Sequence, residues 1–116
     1  MHELSVCQSL LAQVSQIAAE HHAAVVEKIH IQVGPLSGVE PDLLLNAFPI
    51  ARSDTVAAAA ELVIKLLPIR VKCRHCETES DATLNKLVCA ACGDWHTDLV
   101  SGDELLLERV EMRTEH

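Results

Sequence analysis

Apolar residues recur at three- and four-residue intervals at the start of the chain. Leu4, Cys7, Leu11, Val14 and Ala18 form one stripe, widened by Leu10 and Ile17, with Gln8, Gln13, Gln16 and Glu20 opposite. That period predicts an amphipathic helix from residue 4 to about 22. The period then drops to two. Ile29, Ile31 and Val33 alternate with Lys28, His30 and Gln32, the pattern of a half-buried strand. Gly34-Pro-Leu-Ser-Gly38 is the turn after it, and Glu40-Pro41-Asp42 opens a second helix, with proline in the first turn and acids near the positive end of the dipole. Leu44, Ala47, Phe48 and Ala51 share a face of this helix. Pro49 is expected to end or kink it, because it lacks the N–H that would bond back to residue 45.

Arg52 to Ala60 reads as a connection with room for a helical turn at Ala57–Ala60. Glu61–Leu67 is a second strand, closed by Pro68. Ser101-Gly102-Asp103 turns the chain into a third strand over Glu104–Met112. There Leu105-Leu106-Leu107 blurs which face is buried and allows a bulge. The fold class expected is α+β: a body of residues 1–67 and 101–116, with a three-stranded sheet and two helices, and an inserted zinc-ribbon-like subdomain over 68–100.

The insert carries the chemistry. Cys73-Arg-His-Cys76 and Cys89-Ala-Ala-Cys92 are paired thiols on two turns, separated by twelve residues. Such turns close a tetrahedron around Zn²⁺, and four sulfurs leave no open position, so the metal is structural. Gly93 follows the second pair and supplies the positive φ of a tight knuckle, whereas Glu77 stands at the matching place after the first. His75 and His96 lie in or beside the knuckles, near enough to replace a thiolate, but read as exposed bystanders. Cys7 falls on the apolar stripe and reads as a small buried hydrophobe. A thioredoxin-like redox site needs one Cys-X-X-Cys at a helix start, not two matched pairs.

Composition narrows the function. Seventeen acidic against nine basic residues give a net charge of −8, which opposes nucleic-acid binding through phosphate neutralisation. One Phe and one Trp are the only aromatic residues, so the core must be aliphatic. No apolar run is long enough to span a bilayer, and Met1–Ser5 does not resemble a signal peptide. Five cysteines without an export signal point to the reducing cytoplasm. No phosphate loop, nucleophile set or open metal site with a general base is visible, so no enzyme is expected.

His2 is a second candidate metal ligand. The Met1 amine, the residue-2 amide and the His2 Nδ1 can chelate one ion, and the Glu3 amide completes a four-nitrogen plane. Planar nitrogen ligation suits Ni²⁺ or Cu²⁺ rather than Zn²⁺. From spacing alone a functionless N-terminus is the better reading.

Four motifs in order then carry a resemblance: Met1-His2-Glu3-Leu4-Ser5, Gly34-Pro-Leu-Ser-Gly-Val-Glu-Pro41, the paired cysteines, and Ser101-Gly-Asp-Glu-Leu105. Together they resemble the HypA/HybF family of hydrogenase nickel-incorporation proteins over nearly the whole chain. The resemblance implies a metallochaperone that delivers Ni²⁺ during maturation of [NiFe] hydrogenase and, in some organisms, urease. It implies nickel at His2 with neighbouring backbone nitrogens, Glu3 in the same motif, and Glu40 at an acidic position near the nickel site. It also implies structural zinc on Cys73, Cys76, Cys89 and Cys92. The implied partners are the nickel-handling GTPase HypB and the hydrogenase large subunit, with neither nucleic acid nor membrane, and with monomer or homodimer left open. Asp54 departs from a Gly that often precedes Thr55. The competing reading is a zinc-ribbon interaction module with no nickel role.

Overall fold

The computed structural model describes residues 2–114, apart from the side chain of His2. Two helices and six strands follow in the order α1 (His2–Glu20), β1 (Ala23–Val33), α2 (Pro41–Ala51), β2 (Glu61–Leu66), β3 (Ile69–Cys73), β4 (Glu79–Ala82), β5 (Thr97–Ser101) and β6 (Leu105–Thr114). The strands form two three-stranded sheets, ordered β2-β1-β6 and β4-β3-β5. The chain divides into two units. One comprises Met1–Ile31, Val39–Lys65 and Leu106–His116; the other comprises Gln32–Gly38 and Leu66–Leu105.

The first unit is built from the predicted stripes. Cys7, Leu10, Leu11, Val14 and Ala18 of α1 are buried, as are Leu44, Ala47 and Phe48 of α2 and Val26, Ile29 and Ile31 of β1. The core is therefore aliphatic apart from Phe48. Burial of each large side chain is worth about 1.5–3 kcal/mol. The Cys7 thiol is fully buried and points at the Leu44 carbonyl, 3.6 Å away. Burial first, and the Glu3 carboxylate second, push its pKa up, which suits a packing role.

Strand β1 starts five residues before the predicted Lys28. His22 adopts φ 54°, so a left-handed residue turns the end of α1 directly into the strand. Its burial alternation slips at Glu27-Lys28, both exposed. The same slip occurs in β6 at Glu108-Arg109: Leu105 and Leu107 are half-buried before it, Val110 and Met112 after it.

Pro49 does not end α2, which continues to Ala51. The proline sits in the last turns on an exposed face, where the carbonyl it leaves unpaired is within reach of water. The helix closes with the Arg52 N–H donating to the Phe48 carbonyl at 2.9 Å. The Arg52 guanidinium then donates to the Ala60 carbonyl at 2.6 Å and lies over the Phe48 ring. In this way one side chain ties both ends of the 52–60 connection. Asp54 takes φ 63°, a left-handed position that a glycine would occupy without strain.

The second unit has less to bury. Among the described residues its buried aliphatic side chains are Val33, Ile69 and Val71. In its sheet β3 pairs antiparallel with β4 and with β5, and the β5 register shifts between Arg70 and Val71. At about 2 kcal/mol each, three such side chains fall short of the roughly 10–16 kcal/mol that a structural zinc contributes in small peptides. Among the described residues no helix is long and apolar enough to cross a membrane.

Candidate metal centre

Strand β3 ends at Cys73, and the chain reverses at once. The Glu77 N–H donates to the Cys73 carbonyl at 3.0 Å, and the Cys73 N–H donates to the Thr78 carbonyl at 3.0 Å. The second turn repeats this pattern: Gly93 N–H to Cys89 carbonyl at 2.8 Å, Cys89 N–H to Asp94 carbonyl at 2.9 Å. The residue after each second cysteine lies in the left-handed region, Glu77 at φ 62° and Gly93 at φ 78°. The first knuckle therefore has the same geometry as the second without the glycine, and Glu77 bears the steric cost.

These turns place the Sγ atoms of Cys73, Cys76, Cys89 and Cys92 within 4.8 Å of one another. Cys73 and Cys92 approach to 3.6 Å, as do Cys76 and Cys89. A tetrahedron with Zn–S bonds of about 2.3 Å has an edge of about 3.8 Å, so the four sulfurs fit that ion. Backbone N–H groups already face them. Those of His75 and Cys76 lie 3.3 and 3.4 Å from the Cys73 sulfur, and that of Cys92 lies 3.5 Å from Cys89. Such donors stabilise thiolate over thiol. None of the five cysteines is in a disulfide, and Cys7 lies outside this cluster.

The thiols do not titrate alike. Hydrogen bonds from the Thr78 hydroxyl and backbone N–H, then from Cys89, hold Cys76 down to about 6. At Cys92 the Asp94 backbone N–H lowers the pKa, but desolvation and the three neighbouring thiols outweigh it and push it up to about 12. Four thiolates this close need a cation among them, which the donor set is built to hold.

Polar pairs brace the cage from outside. Arg74 donates to the Asp98 carboxylate through Nε and NH2 at 3.0 and 2.6 Å, which lowers the Asp98 pKa. The His96 backbone N–H donates to Asp94 at 2.9 Å, and its ring Nδ1 lies 2.7 Å from the same oxygen. The ring stacks on the exposed Trp95 at a centroid distance of 3.8 Å. His75 and His96 thus border the cage but are not in the cluster of four sulfurs. Residue types alone gave no sign of the Arg74–Asp98 brace, since Asp98 meets the first knuckle only through the pairing of β3 with β5.

The other candidate ligands belong to the first unit. Glu3 lies half-buried in the first turn of α1. Glu40 is the exposed N-cap of α2, extended at φ −86° and ψ 117°, and its side chain makes no capping bond. Met1 and the His2 side chain lie outside the described residues.

The comparisons agree with the chemistry. Residues 1–112 match the family model described as hydrogenase/urease nickel incorporation, metallochaperone, HypA. The chain is 43% identical over 114 residues to the hydrogenase maturation factor HypA of Nitrosospira multiformis, covering 98% of this chain and 99% of that one. It is 37% identical over 115 residues to the factor of the same name from Aquifex aeolicus, covering 99% and 100%. The solution structure of the Ni metallochaperone HypA from Helicobacter pylori superposes with a TM-score of 0.71 at 27% identity, covering 97% of this chain and 98% of that one.

Proposed function

Because the chain belongs to the HypA family of hydrogenase/urease nickel-incorporation metallochaperones, we propose that it binds Ni²⁺ at its N-terminus and delivers it to a [NiFe] hydrogenase, or to urease where the host has one. The observation that carries this reading is the closed set of four sulfurs. With every position of a tetrahedron filled by thiolate, that cage suits a structural Zn²⁺ held by Cys73, Cys76, Cys89 and Cys92, and a releasable cargo must bind elsewhere.

The start of α1 is suited to the task. The first four N–H groups of a helix have no intrahelical partner, and α1 begins at His2. The amides of His2 and Glu3 are therefore free to lose their protons to a metal, and the helix's positive end favours the resulting anions. Together with the Met1 amine and the His2 imidazole they supply planar nitrogen ligation, which suits Ni²⁺. The Glu3 carboxylate sits in that turn, and Glu40, at the acidic position that the family resemblance assigns to the nickel site, has the smaller effect. The protein's role is transfer rather than catalysis, its setting the reducing cytoplasm, and its partners the GTPase HypB and the hydrogenase large subunit.

Calorimetric nickel titration of untagged, zinc-loaded protein tests the reading. The expected result is one tight Ni²⁺ per chain, lost in His2→Ala while zinc content stays constant. Unchanged nickel binding in His2→Ala would sink it.

A further inference from the structure

Helix α2 carries more apolar surface than its own unit covers. Leu44, Ala47 and Phe48 point into the core, but Leu43 is 50% exposed and Ile50 is 69% exposed. Among the described residues these two, with Asn46 and Ala47 of α2 and Glu3 and Leu4 of α1, line a groove of about 270 Å³. Positions 43, 46/47 and 50 recur at helical spacing, so the groove runs along α2. Its wall is contiguous and apolar, the kind of surface that marks an interaction site rather than scattered exposure.

Charge decides what fits. Helices α1 and α2 contain Glu3, Glu20 and Asp42, with Glu40 at the α2 N-cap, and not one Lys or Arg. The nearest cation in sequence, Arg52, donates to the Ala60 carbonyl and lies over Phe48. A second copy of this chain would set the same carboxylates against themselves, and an anionic lipid surface would be repelled. A helix with apolar side chains at i, i+3/i+4 and i+7 matches an apolar groove of this shape, and basic flanks match Glu3, which lines it, and Asp42, which precedes Leu43 in α2. We propose that the α1/α2 groove receives a basic amphipathic helix of a partner protein. This inference rests on exposure and charge and stands or falls separately from nickel binding.

The test uses the full zinc-loaded chain and a fluorescein-labelled peptide of about 18 residues. The peptide carries Leu on one helical face and Lys on its flanks. Two controls replace every Lys by Glu or every Leu by Gln. The proposal predicts saturable binding with backbone NMR shifts concentrated at Leu4, Leu43, Ala47 and Ile50. Each control peptide, and separately Ile50→Lys in the protein, should weaken binding at least about tenfold. Ile50 is exposed, so this substitution leaves the core intact, which circular dichroism verifies. No saturable binding, shifts centred elsewhere, or a control peptide or Ile50→Lys binding as well as the original would overturn the proposal. So would a wild-type dimer in sedimentation that Ile50→Lys dissolves, because the groove would then be closed by a second copy.

Discussion

Gly34 and Gly102 meet backbone to backbone. A Cβ placed on Gly34 would stand 2.2 Å from the Gly102 carbonyl oxygen and 2.9 Å from the Asp103 nitrogen. The Gly34 N–H donates to the Glu104 carbonyl at 2.8 Å, and the Leu36 N–H donates to the Gly102 carbonyl at 2.7 Å. Gly102 itself sits at φ 121° against Ile69. Two of the motifs that carry the family resemblance therefore meet in the second unit, the Gly34–Leu36 start of one against Gly102–Glu104 of the other.

Gly34→Ala should cost about 2–4 kcal/mol, because the blocking atoms are backbone and cannot rotate away. Gly38→Ala provides the contrast. Its φ of 80° is also unfavourable, but the space around it is open, so the cost should be about 1 kcal/mol. Urea unfolding midpoints of the two variants check the order.

Two of the left-handed residues that are not glycine, Glu77 and Asp54, give the opposite prediction. Glu77→Gly should raise stability by about 0.5–1 kcal/mol by relieving the first knuckle, and Asp54→Gly by less, since Asp tolerates this region better. Gly93→Ala should lower stability. Thermal unfolding of the zinc-loaded variants measures all three.

Acid sensitivity follows from carboxylates outside the cage. His30 hydrogen-bonds Glu111 and holds its pKa below the usual range. The Gly102 N–H does the same for Glu104. A depressed folded-state pKa means that the unfolded chain binds the proton more readily. The stabilisation is thus present above the ordinary carboxylate value of about 4.3 and is lost as pH falls through the lower folded value. Glu111→Gln should flatten the decline in urea midpoint below about pH 5. An unchanged slope would remove this contact from the account.

Removal of zinc should act locally. Cys89→Ala/Cys92→Ala, or a chelator, should abolish metal stoichiometry and unfold the second unit, whose buried aliphatic support among the described residues is Val33, Ile69 and Val71. Cys7→Ala should keep one zinc per chain. Metal analysis with amide hydrogen exchange distinguishes the two, and full zinc retention in the double variant would refute the ligand assignment.

Legibility in the sequence followed the range of the interactions. The stripes of α1 and α2 and the alternation at Ile29, Ile31 and Val33 are local patterns, and they emerged as the buried faces. The four cysteines were legible because ligand spacing is itself local. Ala23–Glu27 was missed as strand because Ala-Ala-Val-Val has no alternation, and α2 outlasted Pro49 because the break falls on an exposed final turn. The Gly34–Gly102 contact and the Arg74–Asp98 brace join residues far apart in sequence, and no period announces them. The groove was hidden for a different reason: Leu43 and Ile50 look like ordinary helix positions until the fold leaves them uncovered.

The central claim is that nickel is delivered from the N-terminus, and hydrogenase maturation under limiting nickel tests it most directly. Wild-type protein, His2→Ala and a variant with one Gly before Met1 should be compared at equal zinc content. His2→Ala should abolish maturation. The Gly extension should impair it even where nickel still binds, because the amine moves and a new amide enters the chelate. Glu40→Gln should have the smaller effect. Maturation by His2→Ala at the wild-type rate would contradict the account, and would turn attention to His75 and His96 beside the cysteine cage.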